Sequence, residues 1–596
     1  MKFGFAFGET FLGTQKGSRR KSGSERIRHL LAFYLAGFAV LVMIVGRLVQ
    51  LQIMEGEETR IRSEENRLKL SRVSAPRGAI YDRNGEVLVR NVPVYKKYEL
   101  GSKKYEVIGR EEAERLRGEG EEVIEDIGRE YIFGKSTGHI LGYLGEIDED
   151  GLNEARSDCL FLGRGCDYQL GDFVGILGIE KIYEEVLRGS PGGVVEERGV
   201  DGSKVRELAI REPSAGDDVT LTIDIGLQRK AVEILGDRRG AVVVSDPTSG
   251  EILALASSPG FDANVFNKQI ANSGEPFGEA QDRQIEAILN SEDKPLFNRA
   301  LAGLYPPGSV FKIVTATAAL EEGEIKESTE IEDTGEIKIG EFRYGNWYFD
   351  QYGRKEGFLN IVGAIKRSND IFFYRLGEKT GADKIAQWAE KFGLGKLVGL
   401  NLSAEAVGVV PSPEWKETFK GERWFLGNTY HFAIGQGDLQ TTPLQIHQMA
   451  SVIASEGKLC KPVLVKVGQV DQVIQVGKGG KCEEVGIGEE TLRLVQEGMV
   501  EACKPRGTAF PFFNFSTATE ASASADTTDG ERVACKTGTA QFGDPKDRTH
   551  AWFVVYGPSE NPEILVTVLL EAAGEGSYQA APVAKELFSY WFHKRS

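Results

Sequence analysis

The sequence predicts an α/β-type domain carried on a membrane anchor and an extended mixed module. Three observations predict it. A charge-free apolar run follows a basic amino end. Strand-type alternation followed by helical spacing begins near residue 216. Long stretches of regular pattern on either side of that point differ in style. The chain has 596 residues, room for two to four domains and a large core. Hydrophobic residues make up 41% and charged residues 27%, a globular rather than disordered balance. The formal net charge of −17 disfavours nucleic acid, whose phosphates want a cationic footprint.

The amino end carries Lys2, Lys16, Arg19, Arg20, Lys21, Arg26 and Arg28 against Glu9 and Glu25. Residues 30–46, LLAFYLAGFAVLVMIVG, then run without a charge. A spanning helix needs about 20 apolar residues, with about 17 as the lower limit. Arg28 and Arg47 flank the run and can snorkel to the two interfaces. A cleaved signal peptide would want a small-x-small site after the run. RLVQLQI follows instead and continues the helical pattern. The expectation is an uncleaved anchor over 29–50, with residues 1–28 as a basic cytoplasmic tail and the rest exported.

That orientation places Cys159, Cys166, Cys460, Cys482, Cys503 and Cys535 where disulfides persist. Six cysteines allow 15 pairings, and unpaired core thiols are the alternative. Cys159 and Cys166 are close enough to close a small loop. No CxxC and no Cys/His cluster of ligand spacing is present, so no metal is expected.

Residues 51–75 read as charged and helix-like. In RGAIYDRNGEVLV, residues 77–89, Asp-Arg-Asn-Gly separates two apolar runs and reads as a hairpin turn. Residues 95–215 are rich in Glu, Gly and Arg. VRELAIREP (205–213) reads as a linker strand, and a boundary is placed near 215. Val219, Leu221 and Ile223 then alternate as a strand, with helical spacing behind them. RGAVVVSDPTSGEILALAS (239–257) reads as two apolar strands joined by a Pro/Gly turn. PFFNFSTATEASASADTTDG (511–530) reads as a loop.

Three motifs carry chemistry. In YPPGSVFKIVTATAALEEG (305–323), Pro-Pro-Gly cannot propagate a helix and the rest can. Ser309 therefore opens a helix, with Lys312 on the same face. A serine hydroxyl needs a base, and a lysine serves if burial lowers its pKa. In AIKRSNDIFFYRLG (364–377), Ser368, Asn369 and Asp370 sit between two helical runs. In RVACKTGTAQF (532–542), alternation suits a strand. Lys536 attracts a carboxylate, Thr537 hydrogen-bonds one, and Gly538 marks close backbone approach by a ligand. Singly, each motif also reads as an ordinary cap, turn or strand. Ser-x-x-Lys, Ser-x-Asn/Asp and Lys-Thr-Gly in this order form the set of penicillin-binding proteins and β-lactamases.

On these motifs the chain resembles the class B penicillin-binding proteins. RGAIYDRNG (77–85), TIDIGLQ (222–228), DPTSGEILALASSPGFDAN (246–264) and NRALAGLYPPGS (298–309) extend the resemblance along the chain. GVVPSPEWK (408–416) and WFLGNTYHFAIGQGDLQTTPLQI (424–446) favour the elongation branch over the division branch. The resemblance implies a serine transpeptidase fold over 216–596, with a central antiparallel sheet flanked by helices. It implies a dimerisation-type pedestal over 51–215. The implied activity is a peptidoglycan D,D-transpeptidase that crosslinks stem peptides in cell-wall elongation, without a cofactor, and is inhibited by β-lactams. Ser309 would be acylated, Lys312 would take its proton, and Ser368 with Asp370 would complete the relay. Lys536 and Thr537 would hold the terminal carboxylate beside Gly538. The N–H groups of Ser309 and Thr539 would form the oxyanion hole. A polytopic glycosyltransferase of the rod-shape machinery is the implied partner, and the cytoplasmic membrane the implied location.

Three departures stand out: Asp370 where many relatives have Asn, Cys535 where a small residue is usual, and a shorter pedestal. A D,D-carboxypeptidase or β-lactamase is the rival within enzymes, separated by penicillin turnover. A β-lactam sensor or wall-binding scaffold is the rival from another class. A sensor needs a cytoplasmic signalling domain, and a scaffold would tolerate loss of Ser309.

Overall fold

The computed structural model describes residues 23–54, 68–99, 104–121, 123–161, 167–199, 204–267, 279–400, 402, 404–466, 481–517 and 532–594. These fall into two units, one within Met1–Val73 and Gly192–Glu212, the other within Ser74–Pro191 and Pro213–Ser596.

The first unit holds α1 (Gly23–Val49), which runs on through a π-turn at Gln50–Met54. Its long apolar residues, among them Phe33, Leu35, Phe38 and Met43, are all exposed. A helix that is apolar all round and packs on no protein is suited to lipid. The same unit holds an antiparallel sheet of β1 (Leu68–Val73), β8 (Gly192–Arg198) and β9 (Lys204–Arg211), in that order. The helical reading of 51–75 is thus corrected at 68–73. The pairing of Leu68–Val73 with Gly192–Glu197 overrides a local pattern dominated by charge. Residues 55–67 lie outside the described residues. The linker strand expected at 205–213 is β9, paired into this sheet.

The second unit begins with a five-stranded sheet. Its strands are β2 (Ile80–Tyr81), β3 (Val87–Glu99), β4 (Lys104–Ile108), β5 (Val123–Tyr131) and β10 (Val219–Thr220). A small pair, β6 (Leu144–Glu146) and β7 (Phe173–Gly175), stands beside it in sequence. The expected hairpin is the β2–β3 turn. Asp82 Oδ1 accepts from the N–H groups of Asn84 (2.7 Å) and Glu86 (2.8 Å), and Gly85 takes φ +87°. Buried Glu180 bridges Arg77 (2.9 Å) and Arg129 (2.8 Å), tying the start of this hairpin to the rest of the unit.

A second five-stranded sheet forms the centre. It comprises β11 (Gly240–Ser245), β12 (Ile252–Ser258), β13 (Ala534–Gln541), β14 (Thr549–Gly557) and β15 (Ile564–Leu570). The order is β12-β11-β15-β14-β13, antiparallel throughout. Its apolar runs are buried on both faces, because helices cover both. Val242, Val244, Phe553, Val555, Val566 and Val568 pack on α2 (Ile225–Leu235) and α8 (Gly576–Ser589). Trp552, Val554, Tyr556, Leu565 and Leu569 face the other way. They join the core of α3 (Lys312–Glu321), α4 (Ile361–Arg367), α5 (Asp370–Thr380), α6 (Pro443–Ala454) and α7 (Glu489–Ala502). Each fully buried Leu, Val or Phe contributes about 1.5–3 kcal/mol. This is the helix-flanked antiparallel sheet the resemblance implied, and β13 is its edge strand.

Two disulfides, Cys460–Cys482 and Cys503–Cys535, decide four of the six cysteines against free thiols. Residues 162–166, within the loop expected between Cys159 and Cys166, and 518–530 of the Ser/Thr/Ala-rich stretch lie outside the described residues.

Candidate active site

Ser309 sits in a 3₁₀ turn, Gly308–Phe311, that leads directly into α3 at Lys312. The turn is fixed from three sides. Gly308 N–H donates to Gly435 O (2.8 Å). Trp552 Nε1 donates to Pro306 O (3.0 Å). Tyr305 exchanges backbone hydrogen bonds with Thr441, each 2.9 Å. Gly308 takes φ +56°, and a Cβ there would stand 2.7 Å from Thr539 O. Only glycine lets the turn lie this close to β13. Ser309 itself is half-buried, and among the described residues no side chain hydrogen-bonds its hydroxyl.

Lys312, three residues on, is fully buried. Its Nζ donates to Asp370 Oδ1 (2.7 Å), Ser368 O (2.8 Å) and Ser368 Oγ (3.4 Å). Ser368 ends α4 in the left-handed region at φ +51°, a position that favours glycine. A non-glycine there costs on the order of 1–3 kcal/mol, which the surrounding structure must offset. Asn369 Oδ1 caps α5 by accepting from Phe372 N–H (2.9 Å). Its Nδ2 donates to Glu356 Oε2 (3.1 Å).

Asp370 uses both carboxylate oxygens. Oδ1 receives Lys312, and Oδ2 accepts from Trp347 N–H (3.0 Å). Its own N–H donates to Asn346 Oδ1 (3.1 Å), and Asn346 Nδ2 donates to buried Asp333 (3.0 Å). An asparagine at 370 would turn its amide NH₂ toward one of these two donors. The acid is therefore matched to its surroundings.

On β13, Lys536 is fully buried, and its Nζ donates to Ser368 Oγ (2.8 Å) and Thr537 O (2.9 Å). Ser368 Oγ thus lies between both lysines and joins the three motifs. A Cβ on Gly538 would stand 2.9 Å from Trp552 Cβ and 3.1 Å from Pro307 O. The close approach here is by the protein itself, whereas the sequence reading expected a ligand. Thr537 Oγ1 donates to Thr508 Oγ1 (2.9 Å). Thr539 O accepts from Gln436 Nε2 (3.3 Å), and Thr539 Oγ1 accepts from Gly576 N–H (3.4 Å). Cys535, one residue before Lys536, is bonded to Cys503 at the end of α7.

Burial pushes Lys312 below the ordinary lysine value, and the charge and hydrogen bond of Asp370 oppose that fall. Burial pushes Lys536 down much further, helped by the like charge of Lys312. Burial favours a neutral amine at both lysines, and repulsion keeps them from both being charged; Asp370 and Glu356 act on Lys312 in the opposite sense. A cluster of this kind, one turn after a half-buried serine, can take a proton from one group and pass it to another. Among the described residues no group of three or more His, Cys, Asp or Glu side chains is arranged to hold a metal.

Hydrogen bonds join Lys312, Ser368, Asp370 and Lys536; Ser309 precedes Lys312 in the same turn, and Gly538 and Thr539 lie against that turn. Sequence reading missed Asn346, Trp347, Glu356, Gln436 and Thr508. The signal available for Gln436 was its place between Gly435 and Gly437. Asn346, Glu356 and Thr508 come from loops without a motif, and Trp347 opens the short helix Trp347–Tyr352.

The penicillin-binding protein transpeptidase domain matches residues 240–589, and the penicillin-binding protein dimerisation domain matches residues 96–221. The peptidoglycan D,D-transpeptidase MrdA of Haemophilus influenzae is 30% identical over 627 residues, covering 95% of this chain and 92% of that protein. A complex of penicillin-binding protein 2 with MreC from Helicobacter pylori is similar at TM-score 0.73 and 25% identity, covering 88% and 98% of the two chains. A chain of a peptidoglycan synthase complex that coordinates polymerization and crosslinking is similar at TM-score 0.72 and 29% identity, covering 96% and 99%.

Proposed function

Because this chain belongs to the penicillin-binding transpeptidases, and is an elongation-type peptidoglycan D,D-transpeptidase, we propose that Ser309 is its acylated nucleophile. The observation that carries this is Ser368 Oγ, bonded by Lys536 and Lys312 at the point where the three motifs meet. In its deprotonated form, which burial favours, Lys312 takes the Ser309 proton as Oγ attacks the D-Ala–D-Ala carbonyl. The N–H groups of Ser309 and Thr539 receive the developing oxyanion, each donor worth roughly 3 kcal/mol. Ser368 relays a proton to the leaving amine, and terminal D-Ala departs. Asp370 orients Lys312. Lys536 and Thr537 hold the terminal carboxylate, with Gly538 keeping the strand close. An amine from a second stem peptide then takes the acyl group and frees Ser309. β-Lactams acylate the same serine.

The same reading assigns residues 1–28 to the cytoplasm, 29–50 to a single membrane span, 51–215 to the pedestal and 216–596 to the exported transpeptidase domain. The basic flank before α1 supports that orientation. The relatives found with MreC and in a synthase complex support a partner from the elongation machinery, a polytopic glycosyltransferase among them.

The test is release of D-Ala from a stem-pentapeptide donor in the presence of an acceptor amine. Unsubstituted protein should form crosslinked product, and penicillin should stop it. Ser309→Ala should form none while melting like the parent. Product from Ser309→Ala would refute the assignment.

A further inference from the structure

The turn after α7 touches the site from a side that none of the three motifs predicts. It folds back tightly. Gly507 N–H donates to Lys504 O (2.8 Å), and Ala509 N–H donates to Ala502 O (3.0 Å). A Cβ on Gly507 would stand 2.2 Å from Ala502 O, so this close fold-back needs glycine there. It is held at both edges. The Cys503–Cys535 disulfide bolts it to β13, and Arg367, at the end of α4, donates to Arg506 O. Strand alternation puts Cys535 and Thr537 on one face of β13. The disulfide therefore fixes the turn on the same face from which the Thr537 hydroxyl projects. Thr508 is the residue this geometry delivers to that hydroxyl, at 2.9 Å.

We infer that Thr508, held by the Cys503–Cys535 disulfide, is a positioning residue that aims the Thr537 hydroxyl at the carboxylate end of the donor peptide. This rests on the carboxylate role given to Thr537 above. A hydroxyl both donates and accepts, and its hydrogen rotates to suit. Without a carboxylate, Thr537 donates to Thr508. When a carboxylate arrives, the pair reverses. Thr508 O–H donates to Thr537 Oγ1, and Thr537 O–H turns to the carboxylate. A hydroxyl that accepts one hydrogen bond while donating another is a stronger donor, because the two bonds polarise each other. The disulfide gives Cys535, which departs from the usual small residue, a function next to Lys536.

The test compares two acyl donors, one ending in a free carboxylate and one in the matching carboxamide, with kcat and KM measured separately. Thr508→Val should raise KM for the carboxylate donor about five- to tenfold, the worth of one ordinary hydrogen bond, with kcat within about twofold. It should leave KM for the carboxamide unchanged. Thr508→Ser should restore the parent KM. Cys503→Ser with Cys535→Ser should raise the same KM. An unmoved KM in Thr508→Val, or an equal rise for both donors, overturns the role. Penicillin labelling of Ser309 in the unsubstituted chain separates the two failures. Labelling with an unmoved KM sinks only the part played by Thr508. No labelling sinks the acyl-transfer reading and this role with it.

Discussion

At the residue scale, the site is a problem of charge. Lys312 and Lys536 are buried together with one carboxylate, and burial favours their neutral forms. A base must be deprotonated to work, so acylation of Ser309 should rise with pH through a value below that of an ordinary lysine. Asp370 opposes the fall in Lys312, so removing its charge should lower Lys312 further. In Asp370→Asn the rise in acylation should therefore move to lower pH, read as the rate of penicillin labelling against pH. A rise that stays put or moves to higher pH would contradict the pairing of Lys312 with Asp370. Ser309, Lys312, Ser368, Asp370 and Lys536 were legible in the sequence because each lies within a few residues of a partner in a short motif. Asn346 and Thr508 were not, because each reaches the site from a separate loop and makes a single hydrogen bond there. The left-handed backbone of Ser368 was also hidden, since glycine is the residue that usually announces it.

At the element scale, glycines set the distance between the Ser309 turn and β13. Gly308 and Gly538 are where the two backbones approach, and each lacks room for a Cβ. Gly538→Ala should push β13 away from Pro307 and Val310. A displacement of about 1 Å at a reacting group costs about a hundredfold in rate. Second-order penicillin acylation should fall by about that factor, with a melting temperature only modestly lowered. An acylation rate within about threefold of the parent would show that the strand does not need this approach. The strands 240–245 and 252–258 were legible from their apolar runs and the Pro/Gly turn between them. The insertion of β15 beside β11 was not, because that pairing joins segments from opposite ends of the domain and leaves no local trace. Leu68–Val73 misled the sequence reading for the same reason, its partner lying beyond residue 190.

At the scale of the whole molecule, α1 and the central sheet belong to different units, and the second unit has its own buried cores. Deleting residues 1–54 should therefore release the protein from membranes without abolishing penicillin acylation. Fractionation followed by fluorescent penicillin labelling checks both halves of that outcome. A truncated chain that stays with membranes would mean another surface holds it there, and one that is folded but unlabelled would tie the site to the anchor. The account as a whole stands on one covalent bond. Incubation with a penicillin, digestion and mass mapping of the modified peptide should find the acyl group on Ser309 in the peptide spanning 305–312. A stable adduct on any other residue, or none on a chain that melts cooperatively, would contradict it.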